Sequence, residues 1–395
     1  MKTSNPWFKA ADIMLGLFLL LPGIVSRLLR KPSNPSEGFV PSSFLIVKLC
    51  CLGDSMLSLI ALSALKRKYS GSSFTVLCTS RNSWIYERSA LFDEVVILPI
   101  TGLKGIREIK KLSAIFRVFN YLLKRCYDAV IDLDVYYRFT TVLAFSPDRK
   151  FSAGFRSPRS IDRAAFYDYS VNRDMAVPEW KQFYELLAPF KLEVSPDFVM
   201  LSCSKLEIEL AKRMIASHIK DERKLIAIVP GSSENWKQKR WSPQSFASMM
   251  TFLAKTGKFS FVIIGTKDEA SIGNEIVALF GNKDIAVNVA GKTTPGVLVA
   301  LISQIDGMVS NDTGPMHMAA LAGKPVVGLF GPTDERKWTP PSKVFKVMTS
   351  DCPKRPCDRI SRMPQCSQKL CLDTIVPEKV ADVLVELLNS VAGNK

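Results

Sequence analysis

The turn Ser310-Asn311-Asp312-Thr313-Gly314-Pro315 stands between an apolar strand at 305–309 and a helix predicted over 316–322. Backbone N–H groups, the Thr313 hydroxyl and a helix N-terminus converge there, a combination that suits a diphosphate. Pro315 fits the first helical turn, where a missing N–H costs little. His317 lies in the same turn and can reach the same anion, or it can serve as a buried hydrogen-bonding residue of the helix. Asp312 and Thr313 would also suit plain helix capping. A second strand, 225–229, runs into Pro230-Gly231-Ser232-Ser233 and on to Lys239-Arg240-Trp241. Ser232 and Ser233 offer hydroxyls to phosphate oxygens, and Lys239 offers a point charge where negative charge develops. The same cations, with Lys224 and Lys237, would also make an ordinary solvated face. A third strand, 259–264, enters Gly265-Thr266-Lys267-Asp268-Glu269, where Glu269 either meets ribose hydroxyls or complements a helix dipole. Asp54, after the strand at 44–47, is a carboxylate at a strand-to-helix turn. It can act as an N-cap, as a proton acceptor, or as both.

The elements that carry these residues alternate. Strands are predicted at 44–47, 74–78, 95–98, 129–133 and 151–154, and again at 225–229, 259–264, 286–289, 305–309 and 325–330. Helices are expected between them, notably over 56–66 and 106–124, with a closing amphipathic helix at 375–388. Alternation of this kind points to parallel sheets covered by helices on both faces. With 395 residues the chain is long enough for two domains of ordinary size. The proline-bearing stretch 178–196 is the expected connection, and the domains are placed at 44–200 and 201–395.

Residues 1–43 form an apolar segment and a Pro/Ser-rich linker. The run at 13–25 is short against the roughly 20 residues a membrane-spanning helix needs. Lys2 and Lys9 precede it, and Arg27, Arg30 and Lys31 follow it. This pattern reads as an anchor lying on an anionic membrane surface, the alternative being a helix packed on the protein. The net charge of +16, from 53 Lys and Arg against 37 Asp and Glu, suits an anionic partner. No zinc-finger spacing, RNP-type motif or aromatic-interleaved basic helix argues for nucleic acid. Two histidines, His218 and His317, are too few for a multi-histidine metal site. A single Gly after each half's first strand argues against a dinucleotide oxidoreductase. Asp132-Leu133-Asp134 is the one near match to a metal-binding Asp pair, and it equally suits an acceptor sugar or structural neighbours. Cys352, Cys357, Cys366 and Cys371 are spaced C-x4-C-x8-C-x4-C, which leaves a metal or cluster, two disulfides and reduced packing thiols all open.

Asp312-Thr313-Gly314-Pro315-Met316-His317, followed by Gly-Lys-Pro-Val-Val-Gly-Leu-Phe-Gly-Pro-Thr-Asp at 323–334, resembles a known donor-site signature. It is that of the bacterial ADP-heptose:lipopolysaccharide heptosyltransferases, glycosyltransferase family 9. Lys239-Arg240-Trp241-Ser242-Pro243 is similar to the family's Lys-Arg-Trp-Pro segment, with one Ser inserted. Gly53-Asp54 matches its Gly-Asp after the first strand, although Cys50-Cys51 stand where the family has small or hydroxyl residues. The resemblance implies the GT-B fold, an α/β architecture of two Rossmann-like doubly wound domains facing a cleft. It further implies inverting, metal-independent transfer of heptose from ADP-heptose to a lipopolysaccharide-core or similar anionic glycolipid, with no cofactor. Asp54 would be the general base. Lys239, Ser232, Thr313, Gly314 and His317 would hold the departing ADP, and Asp312 would bond sugar hydroxyls or the turn. The implied location is the cytoplasmic face of the bacterial inner membrane. A sugar-nucleotide epimerase of the same fold and a catalytically silent membrane-bound assembly partner stay open as other readings.

Overall fold

The computed structural model describes residues 39–100, 109–135, 137, 139–145, 149–156, 163–195, 199–216, 223–357, 366 and 370–392. The chain divides into two compact units, one through Ser195 and one from Pro196.

The first unit holds strands β1 (Ser43–Val47), β2 (Ser73–Cys78), β3 (Glu94–Ile97), β4 (Ala129–Asp132), β5 (Phe151–Phe155) and β6 (Tyr169–Val171), in the spatial order β3-β2-β1-β4-β5-β6. Every pairing is parallel. The central strands are almost continuously apolar, as strands covered on both faces must be. Helix α1 (Leu52–Lys68) follows β1 and buries Met56, Leu57, Leu59, Ile60, Ala61, Leu62 and Leu65. A helix apolar on all sides belongs inside a fold, and α1 is covered. Helix α2 (Ile109–Leu123) instead turns one stripe, Ile115, Val118, Phe119 and Leu122, to the core. After helix α3 (Glu179–Leu186), Phe190 packs edge-on against Phe151 and beside Phe44, which stacks on Phe74 at 4.5 Å.

The second unit repeats the plan with β7 (Lys224–Val229), β8 (Phe259–Ile263), β9 (Ala286–Asn288), β10 (Gly307–Asn311), β11 (Val326–Leu329) and β12 (Phe345–Met348). Its order is β12-β11-β10-β7-β8-β9, again all parallel. Counted from its own first strand, this is the order of the first unit. Both units therefore have the doubly wound order of nucleotide-binding sheets. Helices α4 (Pro243–Ala254), α5 (Ala270–Phe280) and α6 (Gly314–Leu321) lie in the crossovers, and α7 (Pro377–Ala392) follows the last strand. Phe246, Met249, Met250 and Leu253 of α4 and Val380, Ala381, Leu384 and Leu388 of α7 share a core with Ile226, Ile228, Phe261 and Val327 of the sheet. Ser242 accepts the Ser245 N–H at 3.0 Å, so it caps α4 with Pro243 in the first turn. The Ser inserted before that proline is thus the helix cap.

Two strands were not expected from the sequence, β6 and β12. Each is a short edge strand, and Ser170 in β6 and Lys346 in β12 interrupt it, so neither shows an apolar run. The apolar run at 13–25 and His218 lie outside the described residues.

Candidate functional site

In a doubly wound sheet, ligands bind beyond the carboxyl ends of the strands where the winding reverses. In the first unit that point lies between β1 and β4. Lys48, directly after β1, is buried, and its Nζ stands 3.7 Å from Asp54 Oδ2. Asp54 is not the N-cap of α1. That place belongs to Cys51, at φ 67°, and Asp54 lies inside the first turn, where the helix dipole favours a carboxylate. Among the described residues Oδ2 receives no hydrogen bond. Burial raises the proton affinity of Asp54 above the ordinary carboxylate range, Lys48 opposes this, and Glu179 adds to it. A partly desolvated carboxylate of raised pKa is what a general base working near neutrality requires.

Asp132 and Asp134 are turned to structural neighbours. Asp134 Oδ2 accepts the Leu49 N–H at 2.9 Å and so ties the β1 loop to the end of β4. Asp132 Oδ2 accepts hydroxyls from Thr140 and Tyr167, each at 2.6 Å, and pairs with Arg163. Gly154 makes room for the Tyr167 ring, since a Cβ there would stand 2.2 Å from it. Asp132 and Arg163 are each 1% exposed, so Arg163→Met leaves a buried carboxylate without a counter-charge. The expected cost is about 3–5 kcal/mol. Denaturant unfolding checks this: the added change Asp132→Asn should recover most of the loss, and equal stability of Arg163→Met and wild type would refute the network's importance.

In the second unit the reversal lies between β7 and β10. Asn311, at the end of β10, donates to the Pro230 carbonyl at 2.8 Å and accepts the Trp241 N–H at 3.1 Å. It thereby joins the two loops that carry the site. Lys239 Nζ lies 2.7 Å from Asp312 Oδ2 and 5.3 Å from the centre of the Trp236 ring. Burial alone would raise the Asp312 pKa, but Lys239 and then His317 overcome it and hold the carboxyl below its usual range. His317 is 3% exposed, and its Nδ1 has no hydrogen-bond partner among the described residues. Burial, aided by Lys239 and opposed by Asp312, brings its pKa down to about 4, so the ring is neutral near pH 7. Thr313 is the extended N-cap of α6, and Gly314 begins the helix.

A folded-state value near 4 lies below the ordinary 6.5. The unfolded chain therefore binds this proton first. Stability is fully present above pH 6.5 and falls as pH drops from 6.5 to 4, by about 3 kcal/mol for this one group. Urea unfolding of wild type and His317→Gln at pH 7 and pH 4.5 should show a smaller acid loss in the variant; parallel losses would count against the buried neutral ring.

The remaining residues fall in two places. Ser232 Oγ donates to the Trp236 carbonyl at 2.8 Å and accepts from Arg240 Nε at 3.1 Å. It shapes the loop, while Arg240 also donates to the Ser232 carbonyl and faces Glu234 at 3.6 Å. Ser233 is exposed, and its hydroxyl makes no hydrogen bond to the turn it precedes. Glu269 accepts the Thr266 N–H at 2.7 Å, half of a capping box. Its carboxyl lies against Gly231 and Gly265, where a Cβ would meet it at 2.1 Å and 2.9 Å. The sequence assigns no role to Lys48 or to Asn311. The one signal either gave was a polar side chain at the end of a buried strand.

None of the nine cysteines is in a disulfide, and among the described residues no group of three or more His, Cys, Asp or Glu could hold a metal ion. Burial, with Cys352 and Cys357 nearby, pushes the Cys371 thiol up to about 11. No helix among the described residues is long and apolar enough to cross a membrane.

The model of glycosyltransferase family 9 (heptosyltransferase) matches residues 115–367, which takes in the Lys239–Asp312 site and begins after Asp54. Lipopolysaccharide heptosyltransferase 2 of Salmonella typhimurium is 30% identical over 243 residues, 59% of this chain; the chain spans 62% of that relative's length. A glycosyl transferase family 9 crystal structure from Veillonella parvula superposes with a TM-score of 0.75 at 21% identity, over 91% of this chain and all of that one. The E. coli ADP-heptose lps heptosyltransferase II gives 0.70 at 20% identity, over 89% and 99%. The fold is GT-B, made of two Rossmann-like units, and the chain belongs to glycosyltransferase family 9, the heptosyltransferases.

Proposed function

We propose that this chain is an inverting glycosyltransferase that moves a heptose from ADP-heptose to a lipopolysaccharide-core type of glycolipid. The observation that carries the reading is the Lys239–Asp312 pair beside the neutral His317, at the sheet reversal and the mouth of α6. A lysine has three donors. One faces Asp312, and the others are available to the leaving diphosphate, together with the N–H groups at the start of α6. Glu269, wedged against Gly231, is assigned to the ribose hydroxyls. Ser232 acts through the loop it shapes, and Ser233 is left as an exposed donor. In the first unit Asp54 takes the proton of the acceptor hydroxyl. The similarity to lipopolysaccharide heptosyltransferase 2 supports the donor and acceptor classes.

Titration with ADP, UDP and GDP, followed as thermal stabilisation, tests the donor. A ligand bound only by the native state raises stability with its occupancy. Stabilisation by ADP alone is expected. A response to UDP or GDP instead would overturn the heptose donor, and no response to any would favour a silent assembly partner.

We place the enzyme at the cytoplasmic face of the inner membrane. Helix α2 supports this: Phe116 is 73% exposed, Tyr121 is 41% exposed, and Arg117 and Lys124 lie on the surface beside them. Apolar side chains flanked by cations suit an anionic lipid surface. Co-sedimentation with anionic vesicles, weakened by salt, is expected; equal binding to neutral vesicles would refute the electrostatic part.

A further inference from the structure

Between Lys48 and α1 the chain carries two adjacent cysteines whose sulfur atoms lie 2.8 Å apart. Cys50 is 5% exposed, whereas Cys51 is partly open to solvent. Cys51 is also the N-cap of the 17-residue helix α1 and has a backbone φ of 67°, a region that L side chains rarely occupy. A helix N-terminus and a neighbouring cation both favour thiolate over thiol. We propose that Cys50 and Cys51 form an oxidisable vicinal dithiol, a modification site that peroxide converts to a disulfide between adjacent residues.

The two thiols are unlike, which orders the steps. The hydrogen bond with Cys50 lowers the Cys51 pKa, against burial and the Asp54 carboxylate, and Lys48 adds to the lowering. The same hydrogen bond, with burial, pushes Cys50 well up. Cys51, the more exposed and more acidic thiol, is therefore the attacking group. Its thiolate attacks one oxygen of hydrogen peroxide; the S–O bond forms, the O–O bond breaks, and hydroxide leaves and becomes water. The sulfur of Cys51 is oxidised to a sulfenic acid and the peroxide is reduced. The sulfur of Cys50 then attacks that of Cys51. The S–S bond forms, the S–O bond breaks, and the proton of Cys50 departs with the oxygen as a second water. Two thiols and one peroxide become one disulfide and two waters.

Reversibility follows from chain geometry. Adjacent α-carbons across a trans peptide are about 3.8 Å apart, less than the roughly 4.4–6.8 Å that disulfides usually span. A bridge so placed is strained, and strained disulfides are the readily reduced ones. The ring closes three residues before Asp54 and two after Lys48. It draws together the loop whose position is held by the bonds from Asn82 Nδ2 to the Lys48 carbonyl and to Ser55 Oγ, each 3.0 Å. The Lys48–Asp54 pair is thereby displaced. This functional consequence rests on Asp54 as the acceptor base; the dithiol itself does not.

The test uses the full chain. Protein treated with hydrogen peroxide is alkylated with iodoacetamide, digested with trypsin and weighed. The peptide that starts at Leu49 should carry no alkyl group on either cysteine and be lighter by two hydrogens, and dithiothreitol should restore both alkylation sites. Cys50→Ser should stop at a sulfenic acid that dimedone captures, and Cys51→Ser should leave Cys50 reduced. Alkylation of both cysteines in the oxidised wild type would overturn the proposal, and this measurement needs no variant to fold. In parallel, wild-type transfer should fall on oxidation and return on reduction, and Cys51→Ser should resist. A disulfide with unaltered transfer would keep the site and remove its coupling to Asp54. An absence of transfer before any oxidation would tell against the enzymatic reading alone, since the peptide mass decides the dithiol independently.

Discussion

Asp54→Asn is expected to lower the rate of transfer to the acceptor by about a hundredfold to ten-thousandfold, the usual contribution of a positioned general base. Asn keeps the shape of the side chain and removes the proton-accepting oxygen. ADP-driven stabilisation should be unchanged, because Asp54 belongs to the first unit and the candidate nucleotide site to the second. The substitution also leaves Lys48, 1% exposed, without its nearest counter-charge, which can destabilise the protein by several kcal/mol. Rates should therefore be taken per folded molecule, well below the melting temperature. Wild-type kcat should fall as pH drops through a value above the ordinary carboxylate range, because the active form is deprotonated and burial raises its pKa. A variant with wild-type kcat would remove Asp54 from the chemistry. This result matters because the family match begins at residue 115, so the role of Asp54 rests on its own surroundings.

Lys239→Ala should lower kcat by about a hundredfold to a thousandfold, the scale of losing one preorganised group at developing charge, and should abolish stabilisation by ADP. Arg240 cannot take its place, since its guanidinium already holds the Ser232 carbonyl and Oγ. The variant has a second defect: Asp312, 6% exposed, loses the ammonium 2.7 Å away. The double change Lys239→Ala/Asp312→Asn separates the two effects, because it removes the stranded charge without restoring the cation. Stability should return in the double variant while ADP binding and turnover stay lost. If turnover returned with stability, the role of Lys239 would be structural and the diphosphate would lie elsewhere.

Much of the architecture was legible as apolar runs. β1 and β7 bury nearly every side chain, so each reads as a short hydrophobic block ending in a polar turn; β10 instead runs over Gly307–Asn311, two residues into the expected turn, because Ser310 and Asn311 are buried in it. The edge strands β6 and β12 were not legible, because Ser170 and Lys346 interrupt their short apolar stretches, whereas the edge strand β3 keeps Val95, Val96 and Ile97 in a row. The start of α1 was misplaced for a local reason. Gly53 and Asp54 read as a turn before the helix, yet the left-handed backbone at Cys51 begins it at Leu52. That difference moves Asp54 from the capping position into the first turn, where its carboxyl faces Lys48.

At the site the sequence determined which residue types stand at each strand end: an Asp after β1, a Gly-Ser-Ser turn and Lys239 after β7, and Asp312 to His317 after β10. It also determined that Pro315 would open a helix there, since a residue without an N–H suits that position. Only the tertiary structure decided which of these meet. Lys239 and Asp312 are 73 residues apart and form a pair because β7 and β10 are neighbours at the sheet reversal. Ser232, plausible as a phosphate ligand by type, is turned into its own loop. Lys48, ordinary by type, is buried beside Asp54, and Asp132 is claimed by Arg163 from 31 residues away. The reason is common to all of them. Spacing along a chain sets what a turn can offer, but burial and charge pairing depend on neighbours that only strand order brings together.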